Sequence, residues 1–599
     1  MGLFDRIRSE YLYFTGALRM LKRLKPLQNN PNSTLSDTIS RLAVKHKDRI
    51  AFYYLDQTVT YGELEQRANR YARWAQSIGV KKGDVVGLLM PNKPEYVIAW
   101  LGIIRAGGVA ALLNTNLIEN PLAHCISIVD AKHLIVDVEL EHNLATALPH
   151  LYTPPVIWAW GGAMRNAENL HEALENASSA PLDEAARPAL TINDPALYIY
   201  TSGTTGLPKA ANISHYRVQS IMNGFSAAVN AKPDDRMYIA MPLYHSSGGV
   251  LALGTVLTVG GAAILRDTFS ARNFWSDCVK YNATMFQYIG ELCRYLVNCP
   301  PDEYENKHKI RLCCGNGLRP DIWEKFRDRF GLPKILEFYG ATEGNVVLLN
   351  YDSKPGSVGR IPKWAEKIFN TEIVEFDTEK EIAARGPDGF CIKCAPGVIG
   401  EVIGKVIDSP KNPTNRFDGY ADKSETEKKI LRDVFEKGDI WFRTGDLMKR
   451  DNLGYFYFID RIGDTFRWKG ENVATSEVAE AISVFPGVLE ANVYGVHVPD
   501  HDGRAGMVGL VTNDDFNIEE FGIYLTLHLP VYARPLFIRM QTQIEATGTF
   551  KQRKVDLVKQ GFDPGAIDDR LFFNDAESGD IQSLGVALYD RIVNGDLRL

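Results

Sequence analysis

The 599-residue sequence predicts an α/β protein, with a large N-terminal domain of layered sheets and helices and a small C-terminal α+β domain. Three observations predict it. Short apolar runs alternate with helical patterns along most of the chain, the mark of a mainly parallel sheet with helices on both faces. One of these runs opens into a loop rich in glycine and hydroxyl groups. Near residue 461 the character changes, and a polar segment with a glycine precedes about a hundred residues of mixed helix and strand, a usual size for a small domain.

The elements follow in order. Residues 1–33 form a basic amphipathic helix. Leu3, Phe4, Ile7, Tyr11, Phe14, Leu18 and Leu21 recur at helical spacing on one side, and Arg6, Arg8, Arg19, Lys22, Arg23 and Lys25 outnumber Asp5 and Glu10. Two readings fit this helix: it lies in a membrane interface, or it packs on the protein's own surface. The large domain spans 34–460. Asp84–Met90 reads as a buried strand, Glu95–Ala106 as a helix, and Val109–Leu113 and His133–Val136 as further strands. Val250–Leu265 is too short and too rich in glycine and threonine to cross a bilayer, and reads as core helix running into core strand. The small domain spans 461–565, with helices near Ser476–Phe485 and Ile518–Leu529 around a strand near Ala491–Val496. Residues 566–599 read as a tail, acidic at first.

Composition narrows the function. A net charge of −7 gives no global basic field to attract nucleic acid. Eight cysteines in this length make no disulfide framework, and the lone Cys391/Cys394 CxxC lacks the second pair of a zinc site, so the thiols read as free in a reducing cytosol. Charges interrupt the N-terminal apolar residues, against a signal peptide, and Met1-Gly2 lacks the hydroxyl residue at position 6 of a myristoylation signal.

The strand Ala196–Tyr200 leads into Thr201, Ser202, Gly203, Thr204, Thr205, Gly206 and Lys209, with a helix-competent stretch from near His215. As a strand–loop–helix this presents backbone N–H groups, hydroxyls and a cation to phosphate. A Walker A loop is excluded, because the lysine lies three places beyond Gly206 and alanine follows it. A mobile surface loop would share the glycines, but not the four hydroxyls and lysine set directly behind a core strand.

TSGTTGLPK (201–209) resembles the signature phosphate loop of the adenylate-forming superfamily of acyl-CoA synthetases, adenylation domains and luciferases. Further matches follow in order. Tyr339, Gly340, Ala341, Thr342, Glu343 and Gly344 resemble the YGxTE motif, which implies Thr342 on the AMP phosphate and Glu343 as the Mg²⁺ ligand. Gly315, Asn316 and Gly317 resemble the segment beneath the adenine; Asp446 of Thr444-Gly-Asp and Arg461 stand where the family contacts the ribose. Lys551, after Thr547-Gly-Thr-Phe, stands where the family has its mobile catalytic lysine. His245 in PLYHSSGG resembles the gate beside the acyl carboxylate, and apolar residues near 249–259 and 286–296 are candidates for an acyl tunnel or for core packing.

The resemblance runs from about 34 to 555. Within the superfamily, YIGELCRYLVN, CGNGLRPDIW and DRIGDTFRWKGENVAT are similar to the fatty acid transport protein/very-long-chain acyl-CoA synthetase group. It implies an ATP-dependent ligase for long and very long fatty acids, some members also acting on bile acids, with fatty acid, ATP and CoA as partners and Mg²⁺ as cofactor. It implies rotation of the small domain about Gly463 and Asp464, with Lys469, Gly470 and Glu471 carried toward CoA. An acyl-AMP ligase serving a carrier protein and a fatty acid transport protein proper are the competing functions. The implied setting is cytoplasmic, with peripheral contact at the inner membrane face through residues 1–25. Three features depart from the superfamily pattern: Gly463 two places after the hinge arginine, GTFK in place of an SGK-type loop, and an amphipathic helix where animal members carry a membrane span.

Overall fold

The computed structural model describes residues 2–201, 207–377, 380–407, 415–469, 471–499, 501, 503–544, 554–576, 578–597 and 599. Among them, two large sheets form the body of the protein. One runs, in spatial order, Glu168–Asn169, Val156–Trp160, His133–Asp137, Val85–Leu89, Val109–Leu112, Pro195–Thr201 and Lys209–Ser214. All but its last neighbour pair are parallel. Val85–Leu89 is buried along its whole length, as a parallel strand covered on both faces must be. The second sheet has eight strands, with Met285–Ile289, Leu312–Asn316 and Ile335–Gly340 adjacent and parallel.

Helices Tyr61–Ser77, Pro94–Arg105 and His215–Ala228 share one core with inward residues of both sheets, including Phe52, Leu88, Leu112, Ile199, Met237 and Leu312. Pro94–Arg105 is buried on nearly every side, which explains its apolar sequence. A third sheet, built around the antiparallel strands Ile399–Lys405, Ile440–Arg450 and Tyr455–Arg461, packs on a smaller core of its own.

Two expectations are corrected here. The segment between the glycine-rich loop and the helix at His215 is a strand, Lys209–Ser214, antiparallel to Pro195–Thr201 with Thr201 opposite Lys209. The two strands therefore form a hairpin, and a strand rather than a helix begins at Lys209. Ala210, Ala211, Ile213 and Ser214 are buried, and Ser214 caps the helix by accepting from Arg217 N.

The second correction concerns residues 566–599, which do not form a tail. Arg570–Asn574 pairs with Phe537–Met540 and Ile581–Ser583 pairs with Arg570–Asn574, completing a five-stranded sheet. Leu571, Phe573 and Ile592 join its core. The acidic start disguised the strand: Asp569 accepts from Arg539 Nε at 2.6 Å and so is part of the packing.

The N-terminal helix, Leu3–Asn29, packs on the protein's own surface. Tyr13 Oη donates to Leu349 O at 2.8 Å, Arg19 Nε to Ala227 O at 3.0 Å and Arg23 Nη2 to Ala231 O at 2.7 Å. Gly16 lies so close to Tyr351 that a Cβ there would stand 2.6 Å from the ring. The docked face is not the expected apolar stripe, which points outward.

Ending the chain at residue 565 should expose Phe537 and Ile538 along a bare strand edge. The small unit should lose on the order of 5 kcal/mol through the burial of Leu571, Phe573 and Ile592. Limited proteolysis should then cut within 471–560 in the shortened chain while sparing the full-length protein.

Candidate functional site

The parallel strands Leu312–Asn316 and Ile335–Gly340 end side by side, so the Gly315–Gly317 and Tyr339–Gly344 segments leave the same sheet edge. The second segment is fixed from several directions. Arg217, on helix His215–Ala228, donates to Ala341 O at 3.0 Å, to Thr342 O at 3.2 Å and to Gly344 O. A guanidinium's several donors suit a fan of carbonyls. Thr342 Oγ1 shares a 2.7 Å hydrogen bond with Ser246 Oγ. Tyr420 Oη donates to Glu343 Oε1 at 2.6 Å. Burial, the Glu343 charge and this hydrogen bond push the Tyr420 hydroxyl far above its usual range, while its bond with Thr201 acts the other way.

Tyr420 reaches Glu343 because its segment lies along the hairpin's outer strand. Asn212 N donates to Gly419 O at 3.0 Å, Ala421 N to Ala210 O at 2.9 Å and Ser214 Oγ to Asp418 Oδ2 at 2.7 Å. The same strand carries Lys209, whose ammonium is paired with Glu425 of the short helix Lys423–Lys428. Lys209 and Lys428 together hold the Glu425 carboxyl below the ordinary carboxylate range. The free positive charge expected from sequence is therefore already matched.

Toward the third sheet, Tyr339 donates to Asp446 Oδ2. Asp446 and Arg461 are directly opposed on neighbouring antiparallel strands, with Arg461 Nε 3.8 Å from Asp446 Oδ1. Gly445 has φ +80°, and Asp446 N donates to Thr444 Oγ1 at 3.1 Å, so the TGD segment turns its aspartate toward Tyr339.

Close backbone approach shapes the Gly315–Gly317 segment. A Cβ on Gly315 would stand 2.2 Å from Tyr288 O, and one on Gly290 only 1.7 Å from Gly317 O, while Gly317 itself has φ +80°. Glu337 is buried beneath it, accepting from Leu318 N at 3.1 Å and from Tyr288 Oη at 2.5 Å. Burial pushes its carboxyl up to about 8.

His245 precedes a turn of π-helix, Ser246–Ala252, beside Ser246, with its ring tilted against that of Tyr244 at 4.7 Å between centroids. The π geometry follows from Gly248 and Gly249, where a Cβ would strike Pro242 O and Leu243 O. The tunnel candidates Val250, Leu251, Val256, Leu292 and Leu296 are buried in the cores.

The structure thus joins Thr201, Lys209, Thr342, Glu343, Tyr339, Asp446 and Arg461 in one contact network, with Gly315–Gly317 at the neighbouring strand end and His245 beside Ser246. Gly340 and Ala341 lie within the segment that Arg217 holds. Ser202, Gly203, Thr204, Thr205, Gly206, Gly470 and Lys551 lie outside the described residues. Lys469 and Glu471 are exposed on a separate hairpin, Phe466–Trp468 with Glu471–Val473. Gly463 and Asp464 form the turn after Arg461, where Lys554 Nζ stands 3.5 Å from Asp464 and donates to Thr475 Oγ1 at 2.7 Å. Asp460 binds the same Thr475.

Sequence reasoning missed Arg217, Ser246, Tyr420, Glu425, Glu337 and Lys554. Ser246 alone carried a signal, its place in PLYHSSGG.

A carboxylate, several hydroxyls, a lysine and an arginine gathered at the edges of three sheets suit a ligand of dense negative charge attached to a sugar. The fold is that of the adenylate-forming enzymes. The family model described as AMP-binding enzyme matches residues 39–393, and the chain belongs to that family. Its relatives include Long-chain fatty acid transport protein 2 of Rattus norvegicus, 42% identical over 581 residues, spanning 96% of this chain and 92% of that protein. Long-chain fatty acid transport protein 1 of Homo sapiens is also 42% identical, over 90% of this chain and 84% of its own. Among solved structures, ATP-bound MatB from Rhodopseudomonas palustris aligns with a TM-score of 0.72 at 25% identity, over 88% of this chain and 98% of that one. The Mycobacterium tuberculosis fatty acyl CoA synthetase shares the fold, with a TM-score of 0.60 at 24% identity over 88% of this chain and 98% of its own.

Two outcomes are expected. Gly290→Ala should cost about 1–3 kcal/mol of stability and raise the KM for ATP by moving Gly317, checked by urea unfolding and steady-state kinetics. Glu337 keeps a proton in the folded state that the unfolded chain releases. Its contribution to stability is therefore lost as pH rises from the ordinary carboxyl range toward 8. In Glu337→Gln the fall in unfolding free energy over that window should be shallower than in the wild type.

Proposed function

We propose that the protein joins long-chain and very-long-chain fatty acids to CoA through an acyl-adenylate: fatty acid, ATP and CoA give acyl-CoA, AMP and pyrophosphate. The observation that carries this is the union of Thr342, Glu343, Thr201, Lys209, Asp446 and Arg461 in one network, in a chain whose relatives are named for long-chain fatty acid transport. Adenylation is needed because a carboxylate carbon is electron-rich and oxide is a poor leaving group.

In the first half-reaction a carboxylate oxygen bonds to the α-phosphorus of ATP, and the bond to the bridging oxygen breaks to release pyrophosphate. Thr342 and the 201–209 loop donate to the phosphoryl oxygens. Lys209 exchanges Glu425 for the outgoing phosphates. Asp446 accepts from the ribose hydroxyls with Arg461 beside it, and the Gly315–Gly317 backbone passes under the adenine. His245 stands at the acyl carboxylate. Each well-placed donor contributes roughly 3–4 kcal/mol.

The Glu343 carboxylate, with the hydroxyls of Tyr420, Thr201, Thr342 and Ser246 in the same network, offers oxygen donors that suit Mg²⁺. Bound with ATP there, Mg²⁺ neutralises phosphate charge. In the second half-reaction the CoA thiolate bonds to the acyl carbon and the bond to AMP oxygen breaks. Lys551 serves the first step, and rotation about Gly463 and Asp464 replaces it with Lys469, Gly470 and Glu471 for the second. Thioesterification retains acid that has entered the cell, which ties the reaction to uptake.

The test follows pyrophosphate and AMP separately over fatty acids of medium to very long chain, with and without CoA. Turnover of both with CoA, and arrest after pyrophosphate without it, is expected; arrest in both conditions points to a carrier protein as the true acceptor. Lys209→Ala should slow pyrophosphate release roughly tenfold or more while leaving thioester formation from supplied acyl-adenylate nearly unchanged. Equal losses in both half-reactions contradict this assignment.

A further inference from the structure

Strand Met285–Ile289 carries an amide into an otherwise apolar layer. Its side chains alternate between two cores. Phe286 and Tyr288 face one, with Trp275 and Phe326; Met285 faces the other, with Val250, Leu251 and Cys314. Gln287 is on the Met285 side, beside Cys314 of the neighbouring parallel strand. It is 1% exposed, and among the described residues neither its Oε1 nor its Nε2 has a hydrogen-bond partner.

A buried amide with both ends unpaired is unfavourable, because it has left water and gained no partner in return. Buried polar groups are almost always paired. Methionine would fill nearly the same volume without that penalty. The amide therefore marks a place that a polar group of the ligand fills when the site is occupied.

That place adjoins the site. Ile289, at the end of the strand, pairs with Asn316 of the Gly315–Gly317 segment. Gln287 lies one pleat inward, about 7 Å from that rim. Its cover is the π-helical turn Ser246–Ala252, which packs on this strand and gives Val250 and Leu251 to the same core. The turn begins directly after His245, with Ser246 hydrogen-bonded to Thr342. An acid whose carboxylate sits at His245 and Thr342 has the layer that holds Gln287 immediately behind it.

The chemistry of the amide narrows the ligand. Nε2 donates and Oε1 accepts. A carboxylate only accepts and would leave Oε1 unpaired, and an unsubstituted alkyl chain pairs with neither atom. A hydroxyl both accepts and donates. We propose that Gln287 is a specificity-determining residue whose amide hydrogen-bonds a hydroxyl carried on the acyl chain a few carbons from the carboxylate, so that hydroxylated long-chain acids are preferred over plain ones. A site built around a hydroxyl discriminates strongly, because the analogue that lacks it leaves the site's own polar atoms unpaired. The inference rests on the ligase reading and narrows its substrate class.

The test follows pyrophosphate release by the full-length protein over long-chain acids of equal length: unsubstituted, hydroxylated at successive carbons from the second to the eighth, and hydroxylated at the far end. At one of the near positions kcat/KM should exceed that of the plain acid by about tenfold or more, with no such gain for the far-end hydroxyl. In Gln287→Met the ratio of hydroxylated to plain acid should fall to near one. That variant should unfold at or above the wild-type midpoint, since it removes an unpaired amide at similar volume; should it not fold, the wild-type series decides alone. Turnover of the plain acid with no near position preferred overturns this inference and leaves the ligase reading standing. A gain shared by the far-end hydroxyl, or one that Gln287→Met keeps, does the same. Release with no acid of the series overturns the ligase reading and this inference with it.

Discussion

The guanidinium of Arg217 holds the site together. The segment that leaves strand Ile335–Gly340 has no sheet partner of its own at 341–344, and its carbonyls would otherwise need water or strain to satisfy them. Arg217 takes up Ala341, Thr342 and Gly344 at once. With the backbone pinned, the Thr342 hydroxyl meets Ser246 and the Glu343 carboxylate meets Tyr420. Each partner comes from a different part of the fold, one from the π-helical turn, the other from the strand-like segment beside Lys209–Ser214. Burial disfavours the charge on Arg217, and the Asp418 and Glu343 charges counter that cost.

The sequence carried the ordering of the large unit well, because buried parallel strands such as Val85–Leu89 are unbroken apolar runs and their crossover helices are amphipathic or wholly apolar. The phosphate loop, the YGATEG segment and the TGD turn were legible because glycine spacing and hydroxyl density are local properties. Lys209–Ser214 was hidden because six residues ending in a helix-capping serine read as the approach to a helix, and only pairing with Pro195–Thr201 makes them a strand. Arg217, Tyr420 and Glu337 were hidden for a deeper reason. Their partners are backbone groups, a carboxylate and a tyrosine hydroxyl that lie 19 to 127 residues away, and nothing in their own neighbourhood marks them.

The N-terminal helix teaches the same lesson from the other side. Its most regular apolar stripe is the one left uncovered, while the docked face is irregular and mixes Ser9, Tyr13, Gly16 and two arginines. Periodicity ranks faces by apolarity, but docking here depends on hydrogen bonds to Leu349, Ala227 and Ala231 and on the room that Gly16 gives Tyr351. At the other end, an acidic lead-in concealed the two strands and helix that complete the small unit.

The most direct test of this account is the rate of pyrophosphate release from ATP and a long-chain fatty acid in Arg217→Ala and Arg217→Lys. Loss of the carbonyl fan should misplace Thr342 and Glu343 and lower kcat on the order of 100-fold in both variants, since lysine restores the charge but not the planar set of donors. The KM for the fatty acid should move far less than kcat. Near-wild-type turnover in Arg217→Lys would contradict the claim that this geometry, rather than a buried positive charge, organises the site.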